Sequence, residues 1–338
     1  MDKPHPVPPP QLEEAILAWS TPRAPSADLV AVARDTLRAW EAMAGTTAPG
    51  LPADIVGSVD ATVRWVVDIG EADARSGADR LADPRYLSRC LSSWQWIPDV
   101  PRPKNHIRLT RYLVYSVLGR AAPEGLFQFP LWALPKDEAG IDAAAAEGNR
   151  ALTRFRYTRQ DVVAGVFREG GAAAGQAEPL VWLDREAHEQ ALLQGTVAVG
   201  LAAGTPLYNV HRNNGIAYDK SERDTRKQRA YWYFRTMDAV RGWAQEPVAG
   251  PALRPYVAVA GDLQNVGFGR LLALQSGDGV RLVVVADTGG AFVDNRHQLD
   301  LYTGVHSSAA TFQAATSAIG DTAAAWALKP RLDVEGCR

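Results

Sequence analysis

The first third of the chain carries apolar residues at helical spacing. In residues 12–19, 26–45 and 53–72, apolar side chains recur every three or four positions, with polar residues between them. This pattern predicts that residues 12 to about 100 are largely helical. The tryptophans in this region are interpreted as core residues, because large aromatic side chains are usually buried.

From Ile107 onward the pattern changes to short apolar runs, many of them alternating, that are separated by glycine and proline. Such runs predict strands. They occur at 107–119, 125–135, 179–185, 190–210, 230–235, 256–262, 269–290 and 299–304. Two helices are predicted among them, one that begins near Thr158, with Asp161 three residues later as its capping partner, and one over 307–328.

The amino-acid composition limits the classes of protein to which the chain can belong. The chain has 338 residues, enough for two domains or one large one, with 46% hydrophobic and 22% charged residues, as in ordinary soluble globular proteins. The 36 basic and 38 acidic residues leave a formal charge of −2, which gives no electrostatic support for nucleic-acid binding. No apolar run approaches the roughly 18 residues that a transmembrane helix needs.

The two ends of the chain leave alternatives open. Residues 1–11, "MDKPHPVPPPQ", predict a proline-rich extended leader and not a secretory signal, because no apolar segment follows the basic residue. The chain is therefore either cytoplasmic or has lost a signal. Cys90 and Cys337 lack the spacing of a metal site, so zinc is not expected, whereas one disulfide remains open.

Two aspartates stand beside and inside predicted strands. Asp287 follows the apolar run 282–286 and precedes a Thr-Gly-Gly turn, where aspartate is common. Asp300 lies inside the alternating segment 299–302, where aspartate is rare. Because its neighbours are apolar, Asp300 is expected to be partly desolvated, which favours its protonated form. Asp300 is thus the stronger candidate for chemistry.

The order of several motifs resembles the membrane-bound lytic murein transglycosylase A family. Asp262, Asp287 and Asp300 follow the order of the three-aspartate domain of bacterial cell-wall enzymes, a double-psi β-barrel. Further similar segments are Gln194-Gly195-Thr196-Val197, "NNGIAY" at 213–218, and "YWYFR" at 231–235. Together with "GLFQFPLW" and "YTRQDVVAG", they extend the resemblance over roughly residues 85–330.

The resemblance implies a fold that is mainly β with N-terminal helices. It consists of a double-psi β-barrel with a second, inserted β domain and a groove between them. Residues 12–112 and 236–330 would form the helical region and the barrel. Residues 113–235 would form the β-rich insert that carries the substrate groove.

The resemblance also implies a reaction. Family members cleave the β-1,4 bond between N-acetylmuramic acid and N-acetylglucosamine, and the carbon-6 hydroxyl of the muramic acid attacks carbon 1 to leave a 1,6-anhydro ring. Because the nucleophile is tethered to the reacting sugar, a single carboxyl group suffices as acid and then as base. No metal or organic cofactor is implied.

The site residues are carried over position by position. Asp300 matches the catalytic acid; Asp287 joins it in the catalytic site, chiefly as support for the turn, and Asp262 is assigned as structural. For Gln194, sugar contact and simple strand pairing remain equal alternatives. The expected contacts to substrate are Thr110, Tyr112, Gln194, Gly195, Gly289 and Gly290.

The implied partners are peptidoglycan glycan strands, with other cell-wall proteins as further candidates, and no nucleic acid. The implied location is the periplasm, in association with the outer membrane, provided that a signal has been removed. Two departures leave a second hypothesis open. The segment Gly289-Gly290-Ala291-Phe292-Val293-Asp294 lacks the family's lysine, and two extra residues precede Asp300. A non-catalytic glycan-binding or scaffold protein that keeps the barrel and groove is therefore the alternative.

Overall fold

The chain folds into two compact units. The computed structural model describes residues 11–43, 50–98, 105–219, 221–244, 249–277, 279–289, 292, 295 and 297–338. The barrel unit comprises Met1–Leu113, Arg241–Gly304 and Ala310–Arg338, and the insert unit comprises Val114–Val240 and Val305–Ala309. The sequence-based division places the boundaries after residues 112 and 235. Of the predicted leader, residues 1–10 lie outside the described residues.

The N-terminal part of the barrel unit contains helices and two strands. The elements are β1 (Gln11–Glu14), α1 (Ser26–Ala42), α2 (Ala53–Val56), α3 (Val59–Ser76), α4 (Pro84–Cys90) and β2 (Leu91–Ile97). The helices predicted over 26–45 and 53–72 are confirmed for the described residues, with a break at Gly57, whose φ of 74° ends α2. Gly70 lets α3 approach α1 closely, since a Cβ there would lie 2.2 Å from a methyl group of Val30.

The helix predicted over residues 12–19 is wrong, because its first residues form β1. This strand pairs antiparallel with β2, from Gln11 opposite Ile97 to Glu14 opposite Trp94. An isolated helix of two turns is marginal in water. The edge of β2 instead offers backbone hydrogen bonds that a short segment can use.

A closed ring of strands forms the body of the barrel unit. Its strands are β3 (Ile107–Leu118), β9 (Ala258–Ala260), β10 (Leu271–Ser276), β11 (Gly279–Asp287), β12 (Gln298–His306) and β13 (Thr322–Pro330). Going around the ring, β13 pairs with β10, followed by β11, β9, β12 and β3, and β3 pairs back to β13. Closure removes free strand edges. The ring confirms the expected barrel.

The helix predicted over 307–328 is only half present. A short helix, α8, spans Ala309–Thr316, but Thr322–Pro330 is the barrel strand β13. Alanine favours helices. Here Ala323, Ala325 and Ala327 point into the barrel core at the two-residue period of a strand, and pairing with β2, β10 and β3 supplies the backbone hydrogen bonds. Tertiary pairing therefore overrides the local preference.

The barrel interior is filled by alternate residues of its strands. Among its buried side chains are Ile107, Leu109, Val259, Val283, Val285, Leu299 and Leu301. Successive side chains of a strand point to opposite faces. The residues between these core positions therefore face outward, and on β3 and β12 they are largely polar: Arg108, Thr110, Tyr112, Gln298, Asp300 and Tyr302.

The insert unit has its own core. Its strands are β4 (Phe129–Trp132), β5 (Pro179–Leu183), β6 (Thr196–Gly200), β7 (Leu207–Asn213) and β8 (Trp232–Met237), and its helices are α5 (Ala143–Gly148), α6 (Arg159–Ala164) and α7 (Arg185–Gln194). The predicted capping box is confirmed, since Thr158 caps α6 and bonds reciprocally with Asp161. A fully buried ion pair joins Arg154 and Glu138 at 2.8 Å.

The start of the strand run predicted over 190–210 is wrong, because residues 190–194 belong to helix α7. The Asp184 carboxylate accepts the backbone N–H of Ala187 at 2.9 Å and so begins this helix. Gly195 ends it in the left-handed conformation, with φ 79°. Gln194 is therefore the last residue of a helix and not part of a strand.

A disulfide joins Cys90 at the end of α4 to Cys337, with their Cα atoms 5.2 Å apart and 247 positions apart in sequence. The indole nitrogen of Trp65 donates a hydrogen bond to the Cys337 carbonyl at 2.6 Å, so the same helical layer also holds the C-terminal segment. The question that the sequence left open about the two cysteines is thus answered by pairing. Among the described residues, no helix combines the length and apolar character needed to cross a bilayer.

Loss of the disulfide should destabilise the protein. Replacing Cys90 and Cys337 together with alanine removes a crosslink that closes a long loop, and we expect the free energy of unfolding to fall by about 2–4 kcal/mol. Denaturant unfolding of the oxidised wild type and of the double variant measures the difference. A reductant should destabilise the wild type and leave the double variant unchanged. Two titratable thiols in the unreduced, unfolded wild type would contradict the pairing.

Candidate functional site

The candidate site lies on the outer wall of the barrel, around the short strand β9. Ala260 at the end of β9 pairs with Asp300 on β12 and with Asp287 on β11. The two aspartates are therefore in one row across three strands, with side chains on the same face. At the usual spacing of strands, their Cα atoms lie about 10 Å apart.

A bulge in β11 places Asp287 in this row. Val284 pairs with Ala258 and Val285 with Val259, but the next partner of β9, Ala260, pairs with Asp287, so Ala286 is the extra residue. Without the bulge, Asp287 would follow the alternation of Val283 and Val285 and point into the core. Bulges re-aim side chains in this way and are common near functional sites.

Asp300 is a half-buried carboxyl with a raised pKa. Its inward-facing neighbours Leu299 and Leu301 are fully buried in the core. Burial raises the pKa of Asp300, whereas a hydrogen bond from Gln298 and the positive charge of Arg108 oppose the shift. The desolvation expected from the sequence is therefore present. It favours the protonated form of the Asp300 carboxyl relative to an exposed aspartate.

Gln298 links Asp300 to the neighbouring strand β3. Its Nε2 donates to Oδ1 of Asp300 at 3.1 Å and to Oγ1 of Thr110 at 2.9 Å. The Thr110 hydroxyl donates in turn to the Leu299 carbonyl at 3.4 Å. Thr110, predicted as a sugar contact, is thus linked to Asp300 through the side chain of Gln298.

Asp287 forms a pair with Tyr112. The Tyr112 hydroxyl donates to Oδ2 of Asp287 at 2.9 Å. Burial, with a smaller contribution from the charge of Asp300, raises the pKa of Asp287 to about 6, although hydrogen bonds from Thr288 and Tyr112 oppose this rise. Burial, followed by the charge of Asp287, raises the pKa of Tyr112 well above its ordinary value. At neutral pH Tyr112 is therefore the donor and Asp287 the acceptor.

Aromatic packing holds the ring of Tyr112 in place. Its ring lies 5.3 Å from that of Tyr302, measured between centroids, and Tyr302 is buried. The Thr303 hydroxyl donates to the backbone carbonyl of Tyr112 at 2.8 Å. Because ring and backbone are both held, the hydroxyl of Tyr112 has little freedom to leave Asp287.

Asp262 lies in the turn that follows β9 and is buried. Its Oδ1 accepts the backbone N–H of Gln264 at 3.0 Å, and its Oδ2 accepts the side-chain amide of Asn265 at 2.6 Å. Both carboxylate oxygens are therefore used inside the turn. This geometry is that of a structural aspartate and not of an acid that contacts substrate.

The remaining predicted residues are placed as follows. Gly289 is exposed after the Asp287-Thr288 turn, and a Cβ at this position would meet no atom within 4 Å. Gly290 lies outside the described residues. Gln194 and Gly195 belong to the insert unit, where Gln194 is exposed. The structure thus brings Thr110, Tyr112, Asp287 and Asp300 together.

Gln298 is a residue of the candidate site that was not predicted from the sequence. This residue stands two positions before Asp300, and residues i and i+2 of a strand share a face. A polar residue at that spacing from a strand aspartate was the available signal. Its partner Thr110 is 188 positions away in sequence, so their hydrogen bond could not be anticipated without the fold.

The arrangement places two carboxyl groups with raised pKa values side by side, which suits proton transfer. Asp300 offers a partly desolvated carboxyl group that faces outward, and Asp287 and Tyr112 offer a second proton-sharing pair beside it. Among the described residues, no group of three or more histidine, cysteine, aspartate or glutamate side chains has the geometry of a metal site.

Comparison of the sequence with protein-family models and with curated proteins gives no match. Solved structures, by contrast, match over nearly the whole chain. The crystal structure of MltA from E. coli with bound chitohexaose has a TM-score of 0.60 at 14% identity and covers 96% of this chain and 95% of that chain.

Two further structures agree. The membrane-bound lytic murein transglycosylase from Agrobacterium tumefaciens has a TM-score of 0.62 at 16% identity, with 97% of this chain and 99% of that chain covered. MltA from Neisseria gonorrhoeae has a TM-score of 0.56 at 15% identity, with 99% of both chains covered. The chain therefore has the fold of the MltA lytic transglycosylases, at a level of sequence identity where the fold is the shared property.

Proposed function

We propose that this protein is a peptidoglycan lytic transglycosylase. It cleaves the β-1,4 bond between N-acetylmuramic acid and N-acetylglucosamine and leaves a 1,6-anhydro ring. The observation that carries the proposal is Asp300, a half-buried carboxyl of raised pKa on the wall of a barrel with the MltA fold. The chitohexaose bound to E. coli MltA supports a glycan as the ligand.

Asp300 acts first as acid and then as base in this mechanism. Its proton moves to the glycosidic oxygen as the bond from that oxygen to carbon 1 of the muramic acid breaks. The carbon-6 hydroxyl of the same sugar then bonds to carbon 1, and its proton returns to the Asp300 carboxylate. The raised pKa of Asp300 suits both halves, because a group that titrates nearer the working pH can give and take a proton.

Asp287 and Tyr112 support the acid from the other side of β9. Burial and the negative charge of Asp300 raise the pKa of Asp287, so the two carboxyl groups resist being ionised together. We therefore assign Asp287 a supporting role in catalysis and place the proton transfer on Asp300.

We also propose a periplasmic location. The Cys90–Cys337 disulfide supports it, because disulfides persist in oxidising compartments. The Agrobacterium tumefaciens protein of the same fold is described as membrane-bound, which supports a position at a membrane surface.

The reaction should be recognisable from its products. Digestion of purified murein should release fragments that end in 1,6-anhydro-muramic acid, as measured by mass spectrometry, and no fragments with reducing muramic acid. Reducing ends would mean that water is the nucleophile, which calls for a second carboxylate and contradicts the single-acid mechanism. Binding of murein without any cleavage would favour the glycan-binding or scaffold alternative.

Removing the carboxyl of Asp300 should abolish turnover. In Asp300→Asn the side chain keeps its size but loses the transferable proton and the basic oxygen. We expect the rate of murein cleavage to fall on the order of a thousand-fold or more, because each proton transfer contributes about a hundred-fold to ten-thousand-fold. Murein binding, measured by co-sedimentation, should persist. Asp333→Asn, an exposed change in the same unit, is the matched control and should cleave at the wild-type rate.

The titration of Asp287 should contribute to the pH dependence of the free energy of unfolding. Its pKa is raised to about 6 in the folded protein. The folded state therefore binds more protons than the unfolded state between about pH 4 and 6, and stability falls as the pH rises through this window. In Asp287→Asn, the difference between the free energies of unfolding at pH 4.5 and 7.5 should shrink by about 1–3 kcal/mol.

The measurement is denaturant unfolding of the wild type and the variant at the two pH values. Other titrating groups are present in both proteins and cancel in the comparison. Asp333→Asn should reproduce the wild-type difference. An Asp287→Asn difference equal to that of the wild type would show that Asp287 titrates as an ordinary carboxyl.

A further inference from the structure

Both N–H groups and the oxygen of the Gln298 amide have hydrogen-bond partners at the candidate site. The residue is only 6% exposed, so water does not supply partners. Its Nε2 donates to Thr110 Oγ1 and to Asp300 Oδ1, and its Oε1 accepts from Nδ2 of Asn295 at 3.0 Å. A primary amide has two N–H groups on its nitrogen, and both are engaged.

These partners favour one orientation of the amide. If the amide turned over, Oε1 would face the Asp300 carboxylate and Nε2 would face the amide nitrogen of Asn295. Two hydrogen-bond acceptors would then face each other at Asp300, and two donors would face each other at Asn295. Both pairs would be left without hydrogen bonds at a buried position, where unpaired polar groups are costly. With Asn295 and Thr110 oriented as in the structure, the Gln298 amide therefore points a donor at Asp300 Oδ1.

The anchor of this amide is on a different strand. Thr110 belongs to β3, whereas Gln298 and Asp300 belong to β12, and these strands are neighbours in the ring. The second N–H of Gln298 holds it to Thr110 at 2.9 Å. The direction of the first N–H is therefore determined by the packing of two strands and not by the rotamer of one side chain.

We propose that Gln298 is a positioning residue that reserves Oδ1 of Asp300 as a hydrogen-bond acceptor, so that Oδ2 carries the transferable proton. A proton on Oδ1 would meet the N–H of Gln298. In the acid form the proton is therefore on Oδ2, and in the base form Oδ2 is the oxygen that receives the proton of the sugar. The catalytic part of this inference rests on the proposed function, whereas the placement of the proton does not.

Other groups near Asp300 do not replace this contact. The described charged and titratable groups that act on Asp300 or respond to it are Arg108 and Tyr112 on β3 and Asp287 on β11. Tyr112 directs its hydroxyl to Asp287, and Arg108 acts through its charge. Of the described side chains, Gln298 is the one with a hydrogen bond to Asp300. Because this bond lowers the pKa of Asp300, its loss should raise that pKa.

The test uses Gln298→Leu, which keeps the volume and removes the polar atoms. The control is Gln275→Leu, the same change on the barrel strand β10. Carbon-13 NMR of aspartate-labelled protein, with the Asp300 signal assigned from Asp300→Asn, should show its titration midpoint higher by about one pH unit or more in Gln298→Leu. The control should keep the wild-type midpoint.

Murein cleavage provides the second readout. In Gln298→Leu, kcat should fall about tenfold to a hundredfold with KM changed less than about threefold, because the acid is misplaced while the sugar contacts remain. The alkaline limb of the profile of kcat/KM against pH should move upward with the midpoint of Asp300. A purely structural defect would lower activity without moving this limb.

The outcomes separate this proposal from the proposed function. If the wild type does not cleave murein but the Asp300 midpoint shifts in Gln298→Leu, the transglycosylase assignment fails and the placement of the proton stands. If the wild type cleaves and Gln298→Leu has an unmoved midpoint, the positioning role is overturned. Should Gln298→Leu not fold, Thr110→Val, which removes the anchor of the amide, must show a smaller shift in the same direction, and no shift would overturn the proposal.

Discussion

The two-residue alternation of side chains around a closed ring of strands is the constraint on which the site depends. Because the ring is closed, one face of every strand points into the barrel interior. Apolar residues such as Leu299 and Leu301 fill this interior. The same alternation leaves the opposite face of β12 and β3 for polar residues. Asp300 is consequently held rigidly, because its apolar neighbours on both sides are locked in the core.

The short strand β9 brings the two carboxyls into relation. It lies between β11 and β12, parallel to the first and antiparallel to the second, so that Ala260 has an aspartate on each side. This arrangement requires the bulge at Ala286, since a regular β11 would bury the carboxyl of Asp287 in an apolar core at a large cost in solvation. The bulge in β11 therefore allows both carboxyl groups to lie on the outer face of a barrel whose interior is apolar.

The two carboxyl groups of the site belong to two separate hydrogen-bond systems. Tyr112 donates to Asp287, and Gln298 donates to Asp300. Tyr112 is half-buried and Gln298 is buried, and both side chains are held by their own neighbours. Each carboxyl thus has a fixed donor, while burial raises the pKa of both. A general acid benefits from a raised pKa and from neighbours that hold its carboxyl group in place.

The sequence by itself determined the helices within 26–45 and 53–72, the capping box at Thr158, most strands and the barrel, because these follow from local periodicity and from motif order. It did not determine β13, β1 or the end of α7, where pairing partners, helix caps and core burial outweighed the local pattern. It left the pairing of Cys90 with Cys337 open. Only the tertiary structure decided that Gln298 bonds to both Thr110 and Asp300 and that Tyr112 bonds to Asp287. These contacts join residues 188 and 175 positions apart, and a side chain's distant partner is set by the closure of the ring.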